Sequence, residues 1–483
     1  MIGRHCRVLA TLLPALLVAG CSPAVQGSGS PTEAASSGVR SSSDAGAIRL
    51  LIDTDMGADD IVAIATLLRE PGVEVVGITV SGTGLAHCAG GLYTARALVT
   101  ALADGPIPAA CGRGAALGPA QPFPEEWRAG ADSGYGINLP APAAPPDRRT
   151  AEQFIVDLAS AGDRPLTILT LGPLTNIAMA LRLDPALVGR IDRLVAMAGA
   201  IDVPGNVSPQ DGGSGSRTAE WNLHADPTAA AEVLAAGLDL TLVPLDATND
   251  VPLTADIVSA LEADHAAAPA DIVFELYARN GYLVNGDQYL WDPLAALALL
   301  HPEVVTVREA TVRVVEGDGL DGGRLLEDMG GASLRTATGA DSAAFQELFL
   351  AALQRGDPRP DSFAPSVVIR VRAGGTICEA DLEPSPAKAG LVRLDGSSDP
   401  SGGRTVAVFG LGDWTWEQVE AFTADPVFDE APPVTSIASL LLAPGGSGTA
   451  YGEGSAGLIG VACVTGTFEA PIIRLAGPFE LLP

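Results

Sequence analysis

The sequence predicts an α/β fold: a mainly parallel, Rossmann-like sheet flanked by helices, followed by a small β-rich C-terminal domain. Three observations lead there. From Ile48 to about Pro360, short β-branched runs alternate with apolar-periodic helices, as in successive βα units. Four carboxylates, Asp53, Asp55, Asp59 and Asp60, crowd eight residues between the first strand and the first helix. Ligand sites of such sheets lie at the carboxyl ends of strands, where this cluster falls. Beyond Pro365 the pattern changes to short strands between Gly/Pro turns, as in a small sandwich or barrel.

Taken in order, the strands of the first region are Arg49–Ile52, Val73–Val80, Leu166–Leu171, Arg193–Met197 and Leu240–Pro244. Its helices include Ile61–Arg69, Leu92–Ala103, Thr150–Ser160, Asn176–Leu183 and Pro227–Ala236. Each is chosen for periodicity, 2 for strands and 3.6 for helices. In the second region Val367–Val371, Leu391–Leu394, Thr405–Phe409, Ile459–Val464 and Ile472–Leu475 read as strands. Trp414 and Trp416 alternate there as if on one strand, and no function follows from this domain's sequence.

A chain of 483 residues can bury a large core and hold more than one domain. Its net charge of −30 argues against nucleic acid and anionic membrane surfaces as partners. Arg4 and Arg7 precede the apolar run Val8–Ala19, and Leu17-Val18-Ala19-Gly20-Cys21 is similar to a bacterial lipobox. The expectation is a signal peptide over 1–20, lipidation of Cys21, and a flexible Ser/Gly/Ala-rich tether over 21–47. The mature protein would then be an exported lipoprotein on the extracytoplasmic side of a bacterial membrane, touching that membrane through its lipid alone. Export permits disulfides. Cys88–Cys111 with Cys378–Cys463 is the most local of three pairings, and buried free thiols are the alternative.

The chemistry starts at Asp53-Thr54-Asp55-Met56-Gly57-Ala58-Asp59-Asp60. Crowded carboxylates raise one another's pKa, and a divalent cation relieves the repulsion. Hard oxygen ligands point to Ca²⁺ or Mg²⁺ rather than zinc. Capping of the helix by Asp59 or Asp60 explains one carboxylate and leaves three. Further on, Thr170-Leu171-Gly172-Pro173-Leu174-Thr175-Asn176-Ile177-Ala178 opens a helix after an apolar strand. Asn206 follows Gly205, and Ala219-Glu220-Trp221-Asn222-Leu223-His224-Ala225-Asp226-Pro227 comes after a Gly/Ser-rich stretch, 208–217. In an extended segment Glu220 and Asn222 would project to one face. Residues 119–146 form a long Pro/Gly-rich loop in which Trp127 either faces a ligand or pins the loop to the core. Tyr289-Leu290-Trp291-Asp292-Pro293-Leu294-Ala295 closes the set. His224 reads as structural, and His265, in an Ala-rich helical segment, as solvated.

Together these motifs resemble the inosine–uridine nucleoside hydrolases, with their DTDPGxDD, GPLTNIA, MGGA…GN…AEFNIxxDP and HDPLA signatures. The resemblance spans roughly 48–360 and leaves 366–483 without a counterpart. It implies a Ca²⁺-dependent N-ribohydrolase that releases free base and ribose, a reaction of purine salvage. The ion would be held by Asp55, Asp60, Asp292 and the Leu171 carbonyl, with Asp55 also the general base. Asp59, Thr83, Met197, Asn206, Glu220, Asn222, Trp291 and Trp127 would contact the nucleoside. Three positions depart from the family pattern: Met56 replaces a proline, Thr83 an asparagine that helps hold the ribose, and Trp291 a histidine that protonates the leaving base in many members. Trp at the last position occurs in the purine-preferring branch, so purine nucleosides are the expected substrates. The alternative is a nucleoside-binding lipoprotein without turnover. An Asp-nucleophile phosphatase fits less well, because the chain's one lysine, Lys388, lies in the other domain. Homo-oligomerisation is compatible with the sequence, which does not specify it.

Overall fold

The computed structural model describes residues 47–161, 164–207, 218–284, 288–319, 321–401, 403–424, 434–467 and 470–483. The leader, Cys21, the tether up to residue 46 and the 208–217 stretch lie outside these residues.

Nine strands form the first sheet: β1 (Ile48–Thr54), β2 (Val73–Val80), β3 (Ala109–Cys111), β4 (Leu166–Thr170), β5 (Ile191–Ala196), β6 (Leu240–Leu242), β7 (Val305–Val314), β8 (Leu325–Glu327) and β9 (Ala332–Ala340). Their order is β3-β2-β1-β4-β5-β6-β9-β7-β8. Pairing is parallel from β3 through β9, and β7 and β8 close the edge antiparallel. The strand order reverses between β1 and β4, the point at which such sheets open a crevice.

Strand periodicity sorts the core. Leu50 and Ile52 pack on one side of the sheet, and Leu51 on the other. The first side is covered by helices 58–67, 88–102, 268–279, 291–300 and 342–353, the second by 151–160, 175–183 and 227–235. The predicted strands and helices of this region are all present, shifted by a few residues at their ends.

The C-terminal part is a sandwich. Strands β10 (Val367–Ala373), β11 (Cys378–Glu383), β12 (Ala387–Lys388), β13 (Gly390–Ser398), β14 (Arg404–Gly410), β15 (Thr435–Leu442), β16 (Ser447–Gly454), β17 (Gly457–Thr467) and β18 (Ala470–Leu482) form two sheets, β11-β10-β13-β16 and β12-β18-β17-β14-β15. Residues of both sheets share one core that includes Val371, Leu394, Val408 and Val461. Cys378 on β11 pairs with Cys463 on β17 across the sheets, and Cys88 pairs with Cys111, so the local pairing is the one formed. Trp414 and Trp416 do not share a strand. Trp416 opens a helix, Trp416–Ala424, and both indoles pack around Phe409 and Leu411.

Candidate active site

The turn after β1 is built by Asp60. Its Oδ1 accepts hydrogen bonds from the Thr54 hydroxyl and from the Asp55 N–H at 3.1 Å, and its Oδ2 accepts from Gly57 N–H at 2.9 Å. It therefore caps its own helix while its carboxylate stays beside the other acids. Met56 sits at φ 61°, a value closed to the proline of the related motif. Asp53 points away from this group. Its Oδ1 accepts from the Thr79 hydroxyl at 2.6 Å and from Asn176 Nδ2 at 2.7 Å. It belongs to the sheet.

Asp55 is wedged between two glycines. A Cβ on Gly84 would lie 2.2 Å from the Asp55 Cβ, and one on Gly172 would lie 2.8 Å from it. Its Oδ2 accepts from Leu85 N–H at 2.9 Å. Asp292, in the first turn of helix 291–300, completes the group. One oxygen from each of Asp59, Asp60 and Asp292 falls within a 4.8 Å set. The expected ligand set named Asp55 rather than Asp59; Asp55 stands close enough to act on Asp60 electrostatically.

Burial and mutual repulsion raise these carboxyls. Asp59 is pushed up to about 7 by burial and then by Asp55, and Asp60 to about 6 by burial and then by Asp59. Asp55 and Asp292 are raised well above the usual range by burial and then by Asp60 and Asp59 respectively. Asp292 Oδ1 is buried without a hydrogen-bond partner. Converging acids with an orphaned oxygen suit a hard cation, whose charge removes the cause of the shifts. The donor set therefore fits a metal ion.

Around the acids opens a cavity of about 480 Å³. Its wall includes Asp55, Asp59, Asp60, Asp292, Leu171, Met197, Asn206, Glu220, Asn222, Trp127 and Trp291, so the structure gathers these expected residues from distant parts of the chain. Glu220 is extended, but Asn222 is not, because the chain turns into a helix at Trp221. Its carboxylate accepts from the Asn222 N–H at 2.8 Å, Gly199 N–H at 2.9 Å and Leu223 N–H at 3.3 Å, capping the short helix Trp221–Ala225. Burial raises it to about 7 despite these donors. Asn222 Nδ2 donates to the Leu171 and Met197 carbonyls, each at 3.0 Å, and Asn206 Oδ1 accepts from Trp221 N–H at 3.1 Å.

Thr83 is not on the wall. Its hydroxyl lies 3.0 Å from that of Ser81 and 2.8 Å from that of Thr175, which in turn donates to Asp226 at 2.8 Å. This buried chain consumes the hydroxyl behind the site. Trp127, 39% exposed, faces the cavity, while Phe123 and Arg128 of the same loop are buried and pin it. Phe123 stacks on Trp221 at 4.7 Å, and Arg128 Nη2 donates to the Gly82 carbonyl at 3.0 Å.

Several wall residues were given no role by the sequence reading, among them Tyr282, Gln288, Trp221 and Tyr135, the last in a loop that resembles one near the family's pocket. Trp221 sits inside a recognised motif. Tyr135 stands in Gly134-Tyr135-Gly136, where the paired glycines signal an unusual backbone. Burial and then Asp59 hold its phenol well above the ordinary range. Two histidines have structural partners: His224 Nδ1 lies 2.6 Å from the Gly322 carbonyl, and His265 lies 2.8 Å from Asp271. His265 is thus paired rather than solvated.

A family model described as inosine-uridine preferring nucleoside hydrolase matches residues 50–347. A probable uridine nucleosidase 2 of Oryza sativa subsp. japonica is 33% identical over 290 residues, covering 58% of this chain and 82% of its own. The crystal structure of an inosine-uridine preferring nucleoside hydrolase from Bacillus anthracis matches with a TM-score of 0.56 and 26% identity, over 64% of this chain and 99% of its own. A purine-preferring ribonucleoside hydrolase from Gardnerella vaginalis matches with a TM-score of 0.54 and 25% identity, over 63% and 98%. With the acidic site and its cavity at the β1–β4 crevice, these matches place the chain in the inosine-uridine preferring nucleoside hydrolase family, as a ribonucleoside hydrolase.

Proposed function

We propose that the enzyme is a Ca²⁺-dependent hydrolase that cleaves purine nucleosides in preference to pyrimidine nucleosides, acting outside the cytoplasm from a lipid anchor on Cys21. The observation that carries the base preference is the placement of Trp291 on the cavity wall beside Asp292. No histidine lines that wall among the described residues. A pyrimidine leaving through this side meets no imidazole to protonate it. A purine offers a wide face for stacking and a basic N7 that solvent can protonate. The sequence relatives are named for uridine or pyrimidines and one structural neighbour for purines, so the proposed preference rests on the wall itself.

Asp59, Asp60, Asp292 and the Leu171 carbonyl would hold the ion, with Asp55 beside them. When bound, Ca²⁺ supplies charge neutralisation and lowers the pKa of the attacking water. Asp55 accepts that water's proton as its oxygen bonds to C1′ of the ribose. The glycosidic electron pair leaves with the base, which takes a proton from solvent. Asn206, Glu220 and Asn222 bind sugar hydroxyls, and an analogue lacking one leaves a buried polar group unpaired. The surrounding carboxylates stabilise the positive charge that develops on the sugar.

Base–aromatic stacking is worth roughly 1–3 kcal/mol, or about 5- to 150-fold if realised in the transition state. Steady-state kinetics on inosine and uridine, with wild type and Trp291→Ala, test this. Inosine should have the higher kcat/KM, Trp291→Ala should erode the difference, and a chelator should stop turnover until Ca²⁺ is returned. Uridine equal to inosine in the wild type refutes the purine preference; full activity in chelator refutes the metal. For the anchor, Cys21→Ser should leave the detergent phase, and its retention there would overturn lipidation.

A further inference from the structure

The family match ends at residue 347, yet a dozen residues on, the chain reaches back to helix 268–279. Arg359 is buried, its side chain 6% exposed, in the segment leading to the sandwich. Its Nε donates to Asp271 at 2.6 Å and its Nη2 to Glu275 at 2.8 Å, both on helix 268–279. Its Nη1 donates to the Asn138 carbonyl at 2.8 Å. Glu275 also accepts from the Asn138 N–H at 3.0 Å, so both backbone groups of Asn138 are gripped by one ion-paired unit. Four residues beyond Arg359, Phe363 N–H donates to Asp271 at 3.0 Å.

Asn138 closes the loop that carries Tyr135 into the cavity wall. Gly134, Tyr135 and Gly136 have φ of 58°, 53° and 72°. Three successive residues in the left-handed region do not stay there unaided, least of all a tyrosine. The loop is held at two points. One is the Arg359–Glu275 grip on Asn138; the other is Asn280, at the end of the same helix, whose Nδ2 donates to the Tyr135 carbonyl at 3.0 Å. The chain then runs directly into Tyr282 and Leu283, which line the cavity too. From the far side the sandwich loads the same helix: Glu453 pairs with Arg279, and Tyr451 packs on Phe274 at 5.9 Å.

We propose that Arg359 is a positioning residue of the active site, acting through Asn138 to hold the Tyr135 wall against the substrate. It is a positioning residue because it touches neither the acids nor the cavity. The proposal rests on the nucleoside hydrolase reading only for which ligand fills the cavity; the hold on the loop is independent of it.

The test uses the full chain loaded with Ca²⁺. Arg359→Ala removes the one guanidinium shared by two buried carboxylates, leaving Asp271 with His265 and Glu275 with Arg279, and can fail to fold, so Arg359→Lys and Asn280→Ala are the informative variants. Lysine keeps the charge but carries its donors on one nitrogen and cannot reach the three acceptors that Nε, Nη1 and Nη2 serve. Hydrogen exchange without substrate should rise in both variants at residues 134–139 and remain at wild-type levels in β1 and β4. On inosine, KM should rise about tenfold or more while kcat stays within about threefold, because the acids are untouched. In a Tyr135→Ala background, Arg359→Lys should add little to KM. Unchanged exchange at 134–139 overturns the proposal, as does a loss of kcat at constant KM, or an effect fully additive with Tyr135→Ala. Absence of inosine turnover in the wild type would instead count against the substrate reading, with the exchange experiment still decisive for Arg359.

Discussion

Asp60 accepts three hydrogen bonds from the end of β1 and the start of the following helix, so its oxygens are oriented before any ligand arrives. Asp55 is fixed from the other side by Leu85 N–H. As the proton acceptor, it should be the most sensitive residue of the site. Asp55→Asn should fold with unchanged secondary structure and lose about 10²- to 10⁴-fold in kcat; near-wild-type kcat would remove it from that role. The same acids predict a pH effect. In the ion-free protein Asp59 and Glu220 reach about 7, above their unfolded values of 3.8 and 4.5. The folded form then holds protons that the unfolded chain has already released, so these groups cost stability as pH rises from about 4 to 7. A bound cation cancels the part of that cost due to crowded charge. The rise in Tm on adding Ca²⁺ should therefore be larger at pH 8 than at pH 5, and equal shifts would contradict this origin. These acids were legible because most sit in one short run, and Asp292 in a motif of its own. Tyr282 was not: a phenol in a short irregular segment has no periodicity to announce it.

At the scale of elements, the site is a meeting of strand ends, and glycines set how closely they meet. Gly84 follows β2 and Gly172 follows β4; each presses its backbone on Asp55 from a different neighbour of β1. A methyl at Gly84 needs space that the Asp55 Cβ already fills. Gly84→Ala should displace that side chain by about an ångström and cost on the order of 10² in kcat, a typical penalty for such misplacement. Circular dichroism should show the fold retained, and a variant with full activity would mean the loop yields instead. The βα alternation was readable because each strand is apolar and each helix has one apolar stripe. The segment after Glu220 was misjudged as extended for a definite reason. Its carboxylate gathers three backbone N–H groups and starts a helix of five residues, too short to show a period. Trp414 and Trp416 misled in the same way, since two residues of spacing fit a strand or a helix entry alike.

Across the whole molecule, the sandwich has a core of its own, and the core of the first sheet also reaches across the junction into it. Phe363 and Leu391 are buried in the core of the first sheet, and Tyr451 packs against it. Sequence offers no sign of this, because Asp271, Glu275 and Arg359 are paired across more than eighty residues. Removing residues 354–483 would strip Arg359 from two carboxylates whose side chains are no more than 1% exposed. Breaking a buried pair by losing one partner costs about 3–5 kcal/mol, a large part of the ~5–15 kcal/mol that holds a typical protein together. The shortened chain should therefore melt at a distinctly lower temperature than the full one, or fail to accumulate; equal melting would show the junction to be passive. The ion-paired unit of Asp271, Glu275 and Arg359 thus straddles residue 347, where the family match stops. A cut between residues 347 and 359 would leave a guanidinium on one fragment and the two buried carboxylates it bridges on the other.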